Sequence, residues 1–112
     1  MQQLEPVIVL TTWPADRDPA DMAATLVGER LAACVNLLPV MESFYRWQGT
    51  VERAAERQVI IKTTRRAVEP LLARLKALHP YDVPELLVLP VSGGGAEYLR
   101  WVGESTTIRN EE

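Results

Sequence analysis

The sequence predicts an α+β domain in the order β-α-β-β-α-β, with one further helix at the C-terminus. Short runs rich in β-branched and aliphatic residues read as strands, and stretches with apolar residues at helical spacing read as helices. Glycine and proline punctuate the junctions. At 112 residues the chain is read as a single domain over 1–112, with an ordered core from about 7 to 105.

Val7–Thr12 is a β-branched run and the first strand, followed by a loop over Trp13–Arg17. Asp18-Pro19 predicts a helix start, because Asp18 can accept from the free N–H groups of the first turn and Pro19 suits the first helical position. Ala23, Leu26, Val27 and Leu31 give this helix one apolar face. Cys34–Leu38 is the second strand, interrupted at Pro39. From Met41 the chain alternates, with Met41, Ser43, Tyr45 and Trp47 on one side. Gly49 turns the chain, the polar piece Glu52–Glu56 follows, and Gln58–Thr63 returns as the third strand. Val68, Leu71, Leu72, Leu75 and Leu78 mark a second helix, with Pro70 tolerated in its first turn and Pro80 ending it. Glu85–Leu89 is the fourth strand. Gly93-Gly94-Gly95 is a turn, Tyr98, Leu99, Trp101 and Val102 predict the third helix, and a polar, partly frayed tail runs from Ser105 to Glu112. This is the ferredoxin-like split pattern, an antiparallel sheet with helices on one face. The stretch from Cys34 to Thr64 is long for two strands of so small a domain. A long hairpin projecting past its sheet leaves unpaired edges, so self-association follows from the pattern.

Composition narrows the partners. A net charge of -3 and a pI of about 5.2, with Arg65-Arg66 near Lys62 as the longest basic cluster, exclude a nucleic-acid surface as the expectation. No apolar run of membrane-spanning length occurs, so no membrane association is expected. The N-terminus, Met1–Pro6, lacks the regions of a signal peptide, and the single cysteine cannot make an intrachain disulfide. Both point to a reducing, cytoplasmic location.

The reactive inventory is small: one cysteine and one histidine, with no catalytic or nucleotide-binding fingerprint. Two such ligands cannot make a four-ligand zinc site in one chain, so a tight metal site needs carboxylates or copies from several subunits. Cys34, between Ala33 and Val35, reads as a small buried apolar residue or as a soft ligand for a thiophilic ion. His79 reads as an imidazole bonding the last carbonyls of its helix, or as a cleft residue beside Tyr81 and Glu85 able to hold copper(II) or a polar molecule. Tyr45, Trp47, Tyr81 and Trp101 form core or subunit contacts, or aromatic cleft walls. Lys62 and Glu56 either pair with each other or leave Lys62 facing an anionic ligand. The glycine run is a plain turn or an anion nest.

Several short motifs, in order and spacing, resemble the CutA family of divalent-cation-tolerance proteins: Leu31–Asn36, Tyr45–Gly49, Ile61–Thr63, His79–Glu85 and Tyr98–Trp101. The resemblance spans roughly Val7 to Ser105. It implies a ferredoxin-like subunit in a tight homotrimer, similar to the trimers of PII signalling proteins, with long strands pairing across subunits. Bacterial members are associated with divalent-cation tolerance and copper binding, animal relatives with acetylcholinesterase processing, and no catalytic activity is established. Carried over by position, the family's thiol is Cys34 and its histidine His79. The cleft set is Tyr45, Trp47, Glu56, Lys62, Tyr81, Glu85 and Trp101. Two positions depart from the pattern: Thr11, where some members have a second cysteine, and Gln48, where an acid is usual.

The expectation is therefore a trimeric, cytoplasmic, non-enzymatic protein. It answers divalent metal, with Cys34, His79 and Glu85 as candidate ligands for copper or a similar cation and no tightly bound cofactor. The alternatives are a PII-like sensor of a small anion that uses Lys62, and an adaptor trimer without a ligand.

Overall fold

The structure, a computed structural model, describes residues 5–106. The elements run β1 (Pro6–Pro14), α1 (Ala20–Gly28), β2 (Cys34–Trp47), β3 (Thr50–Thr64), a single 3-10 turn (Arg65–Ala67), α2 (Val68–Leu78), β4 (Leu87–Pro90) and α3 (Ala96–Ser105). The four strands form one antiparallel sheet in the order β2-β3-β1-β4. The expected element order and antiparallel sheet are present, and the tail beyond Thr106 lies outside the described residues.

Strand alternation sorts the sheet into two faces. Val7, Val9 and Thr11 on β1 stand level with Thr63, Ile61 and Val59 on β3, and all six are buried. Met22 and Leu26 of α1 and Leu71 and Leu75 of α2 join Val9, Val59 and Ile61 in one apolar cluster, so these two helices cover that face. Each fully buried aliphatic side chain there contributes roughly 1.5–3 kcal/mol relative to exposure. An ion pair between Arg74 and Glu29, at 3.0 Å, joins the two helices at the surface. The opposite face carries Ile8, Leu10, Ile60, Leu87 and Leu89, with Leu87 and Leu89 about half exposed.

Several boundaries differ from the sequence reading, each for a local reason. β1 runs on through Trp13 and Pro14, which pair with Arg57 and Glu56. Proline is tolerated there because β4 pairs only with Val7–Leu10, so β1 is an edge strand at Pro14. Pro19 caps α1 instead of opening it, although the Asp18 carboxylate still accepts the Ala20 N–H at 3.0 Å. Arg30 takes a left-handed conformation that ends the helix. Leu31 therefore fills its apolar place from the following turn, its N–H bonded to the Leu26 carbonyl. Pro39 does not end β2. The strand absorbs it as a register shift between Leu37 and Val40, where the Arg57 guanidinium donates to the Leu38 carbonyl at 3.2 Å. The polar piece Glu52–Glu56 is strand, because it pairs with β2 along its whole length. β4 starts later than expected, at Leu87, and α3 is longer at both ends. The helices are not all on one face. From α3 Tyr98 meets Lys62, and from its C-cap Thr106 meets Thr64; both partners alternate onto the face away from α1 and α2.

β1 stops pairing at Pro14↔Glu56, whereas β2 and β3 continue to Trp47↔Thr50. The hairpin therefore projects past the sheet, and the molecule measures 46 × 29 × 24 Å. Its tip is a two-residue turn in which Gln48 and Gly49 both have positive φ, 51° and 83°, the geometry that matches strand twist. Among the described residues no helix is long and apolar enough to cross a membrane.

Candidate ligand cleft

One side of the hairpin, the end of β1 and the connection from α2 to β4 border a cleft of about 700 Å³. Met41, Ser43, Tyr45 and Trp47 reach it from β2, Glu56 and Gln58 from β3, Thr12 from β1, and Pro80–Val83 with Glu85 from the connection. Alternation explains these strand contributions, while Phe44, on the other side of β2, also borders the cleft. Met41 stands opposite Glu56, and Tyr45 and Trp47 share that face.

A hydrogen-bond network fixes the polar side of the cleft. The Tyr81 hydroxyl donates to Glu56 Oε2 at 2.7 Å. Burial, reinforced by the Glu56 carboxylate, pushes the Tyr81 phenol above its ordinary range, so it stays a donor. Glu56 is only 7% exposed, and among the described residues it has no cationic partner. The Gln58 amide donates to the Thr11 carbonyl at 2.9 Å and to Glu85 Oε2 at 3.0 Å, which ties the far end of the connection to β3. The charged groups of the lining are Glu56, Asp82 and Glu85, all carboxylates.

His79 lies behind this wall, not in it. Its Nε2 is 2.7 Å from the Thr12 carbonyl, which can only accept, so Nε2 carries the proton. Nδ1 in turn accepts the Tyr81 backbone N–H at 3.1 Å. The ring packs against Trp13 with centroids 4.6 Å apart and against Tyr81 at 5.0 Å. Burial lowers its pKa from the usual 6.5, against the opposing influence of the Thr12 bond and the Glu56 charge. The imidazole thus bonds a carbonyl of β1 instead of the last carbonyls of α2.

The other candidate residues are dispersed. Cys34 is half-buried and stands opposite Lys62 in the β2–β3 ladder. The Cys34–Lys62–Ile8 row is four residues along β1 from Thr12, roughly 13 Å, so Cys34 and His79 do not meet within one chain. Lys62 and Glu56 share a face of β3 but lie six residues apart, roughly 20 Å, and do not pair. Lys62 stands 5.8 Å over the Tyr98 ring and lines a separate recess of about 180 Å³ with Gly93 and Gly94. Trp101 stacks on Tyr98 at 5.4 Å and is 44% exposed. Of the expected cleft set, one chain therefore brings together Tyr45, Trp47, Glu56, Tyr81 and Glu85. Among the described residues no three His, Cys, Asp or Glu side chains converge as metal ligands would. Gln58 and Asp82 were not singled out from the sequence. Asp82 lies inside the His79–Glu85 motif, and Gln58 shares the Glu56 face by alternation.

The profile of the CutA1 divalent ion tolerance protein family matches residues 7–105. The chain belongs to the CutA1 family. It is 48% identical over 99 residues to the divalent-cation tolerance protein CutA of Thermus thermophilus, covering 88% of this chain and 96% of that one. It is 43% identical over 100 residues to the chloroplastic protein CutA of Arabidopsis thaliana, covering 89% of this chain and 55% of the plant protein. Among solved structures, the T. thermophilus divalent cation tolerance protein superposes with a TM-score of 0.87 at 47% identity, covering 91% and 99% of the two chains. CutA1 of Oryza sativa gives a TM-score of 0.88 at 39% identity, covering 96% and 98%. CutA1 membership makes this a divalent-cation tolerance protein, and the relatives are not named as enzymes.

Proposed function

We propose that this chain works as a homotrimeric, non-catalytic protein of divalent-cation tolerance that collects copper(II) or a similar divalent ion in the Tyr81 cleft. One observation carries the reading: among the described residues every charged group lining the cleft is a carboxylate, and Glu56 is nearly buried with a neutral hydroxyl as its one hydrogen-bond donor. A buried charge without a counter-charge is costly, so a cation entering the cleft is favoured. The donors are oxygens that do not converge, which suits an ion that keeps part of its water shell. Among first-row divalent ions of this group, copper(II) binds a given oxygen site most tightly. Cys34 fits this less well, because Lys62 stands opposite it and an ammonium repels a metal ion. The half-exposed Leu87, Leu89 and Trp47 and the projecting hairpin support assembly into a trimer. The single cysteine supports a cytoplasmic location.

Calorimetric titration with copper(II) tests the cation site. The reading expects saturable uptake that is weakened in Glu56→Gln and in Glu85→Gln and retained in Cys34→Ser. Uptake lost only in Cys34→Ser moves the site to the thiol. A second reading, an anion sensor, is favoured by the recess where Lys62 meets Gly93 and Gly94. It predicts metal-independent binding of a small anion that disappears in Lys62→Ala.

A further inference from the structure

We infer that His79 is a positioning residue for the cleft and not a metal ligand: a single neutral tautomer ties the wall over residues 80–85 to the end of β1 and so sets where Tyr81 offers its hydroxyl to Glu56. The inference rests on the cleft being the cation site.

Both ring nitrogens are already engaged. Nε2–H donates to the Thr12 carbonyl at 2.7 Å, and the Nδ1 lone pair accepts the Tyr81 N–H at 3.1 Å. A metal ion needs a lone pair, and the one that remains on a neutral imidazole belongs to Nδ1. Coordination would break the Tyr81 bond and leave that N–H unpaired beside a ring that is 8% exposed. The same two bonds place Tyr81. Its backbone is held by Nδ1, and its ring lies 5.0 Å from the imidazole. The hydroxyl of the same residue reaches Glu56 at 2.7 Å. Trp13 packs on the imidazole at 4.6 Å, which restricts its rotation. At the far end of the wall, Glu85 is held by Gln58. The wall is therefore tied down at His79 and Glu85, on either side of Tyr81 in the chain, and the Tyr81 hydroxyl reaches Glu56 between them.

Glutamine separates the two roles, since His79→Gln keeps a donor and an acceptor while His79→Ala keeps neither. Zinc(II) serves as a diamagnetic probe, and the one histidine of the chain gives unambiguous ring signals in long-range proton–nitrogen spectra. The spectrum is expected to show a protonated Nε2 and an accepting Nδ1, both unmoved as zinc(II) is added. Zinc(II) affinity should stay within about twofold in His79→Gln and fall by about tenfold or more in His79→Ala, the range found for residues that orient ligands. A ring-nitrogen shift on zinc(II) addition with uptake lost in His79→Gln would make His79 a ligand and overturn the inference. Equal affinity in His79→Ala and wild type would overturn it as well. If no form takes up zinc(II), the cation reading fails alone. The Tyr81 amide signal then decides the positioning role, displaced in His79→Ala and retained in His79→Gln if the inference holds, and unmoved in both if it does not.

Discussion

Tyr81, Glu56 and His79 illustrate how single residues hold this cleft together. The Glu56 carboxylate is almost out of water, and the Tyr81 hydroxyl is its hydrogen-bond donor. Tyr81→Phe should therefore lower unfolding stability by about 1–3 kcal/mol, the cost of leaving a buried acceptor unsatisfied. Urea denaturation measures this, and an unchanged midpoint would show that the bond contributes nothing. His79 gives a pH dependence of definite sign. Burial lowers its native pKa below 6.5, so between that native value and 6.5 the unfolded chain binds more protons than the folded one. Its contribution is fully present above pH 6.5 and is lost as the pH falls through the native pKa. Denaturation midpoints for wild type should drop across that window, and the part due to His79 should vanish in His79→Gln. An equal drop in both proteins would assign it to other groups.

At the scale of elements, the far half of the hairpin is largely exposed and its tip is tightly constrained. Gln48 is held at φ 51° in the turn, a conformation that costs a residue with a Cβ roughly 1–2 kcal/mol and asparagine less. Gln48→Asn should stabilise the protein by about 0.5–1 kcal/mol in thermal or urea unfolding, and an unchanged midpoint would show that the turn stores no strain at Gln48. Trp47, 49% exposed at the hairpin end, is expected to be covered by a neighbouring subunit. Trp47→Ala should then shift sedimentation at low concentration towards smaller species, whereas unchanged association would place the subunit contact elsewhere. The elements show where sequence patterning is informative. Core strands and helices were legible, because Val7–Thr12 is a β-branched run and Val68–Leu78 repeats its apolar residues at helical spacing. Glu52–Ala55 gave no such signal, since this part of the hairpin has solvent on both sides and its pairing with β2 alone makes it strand. Trp13-Pro14 was hidden for a related reason, a proline that is harmless where β4 no longer pairs with β1.

For the whole molecule, apolar runs and periodicity carried the topology and the short motifs the family, but neither showed which distant residues would converge. Alternation put Glu56 and Lys62 on one face. Only the register and the path of the 80–85 connection show that Glu56 belongs to the cleft and Lys62 to another recess. His79 likewise looked available as a ligand until both its nitrogens were accounted for. The sheet has α1 and α2 on one face, while its other face and the hairpin edge leave apolar groups such as Leu87, Leu89, Phe44 and Val51 in solvent. Exposure of that kind is what a self-associating chain conceals on assembly. Native mass spectrometry of the purified protein, with and without copper(II), tests the assembly and the cleft together. The account predicts a trimer that takes up one copper(II) for each cleft, with uptake reduced in Glu56→Gln. A monomer, or a trimer whose copper(II) uptake is the same in wild type and Glu56→Gln, would contradict it.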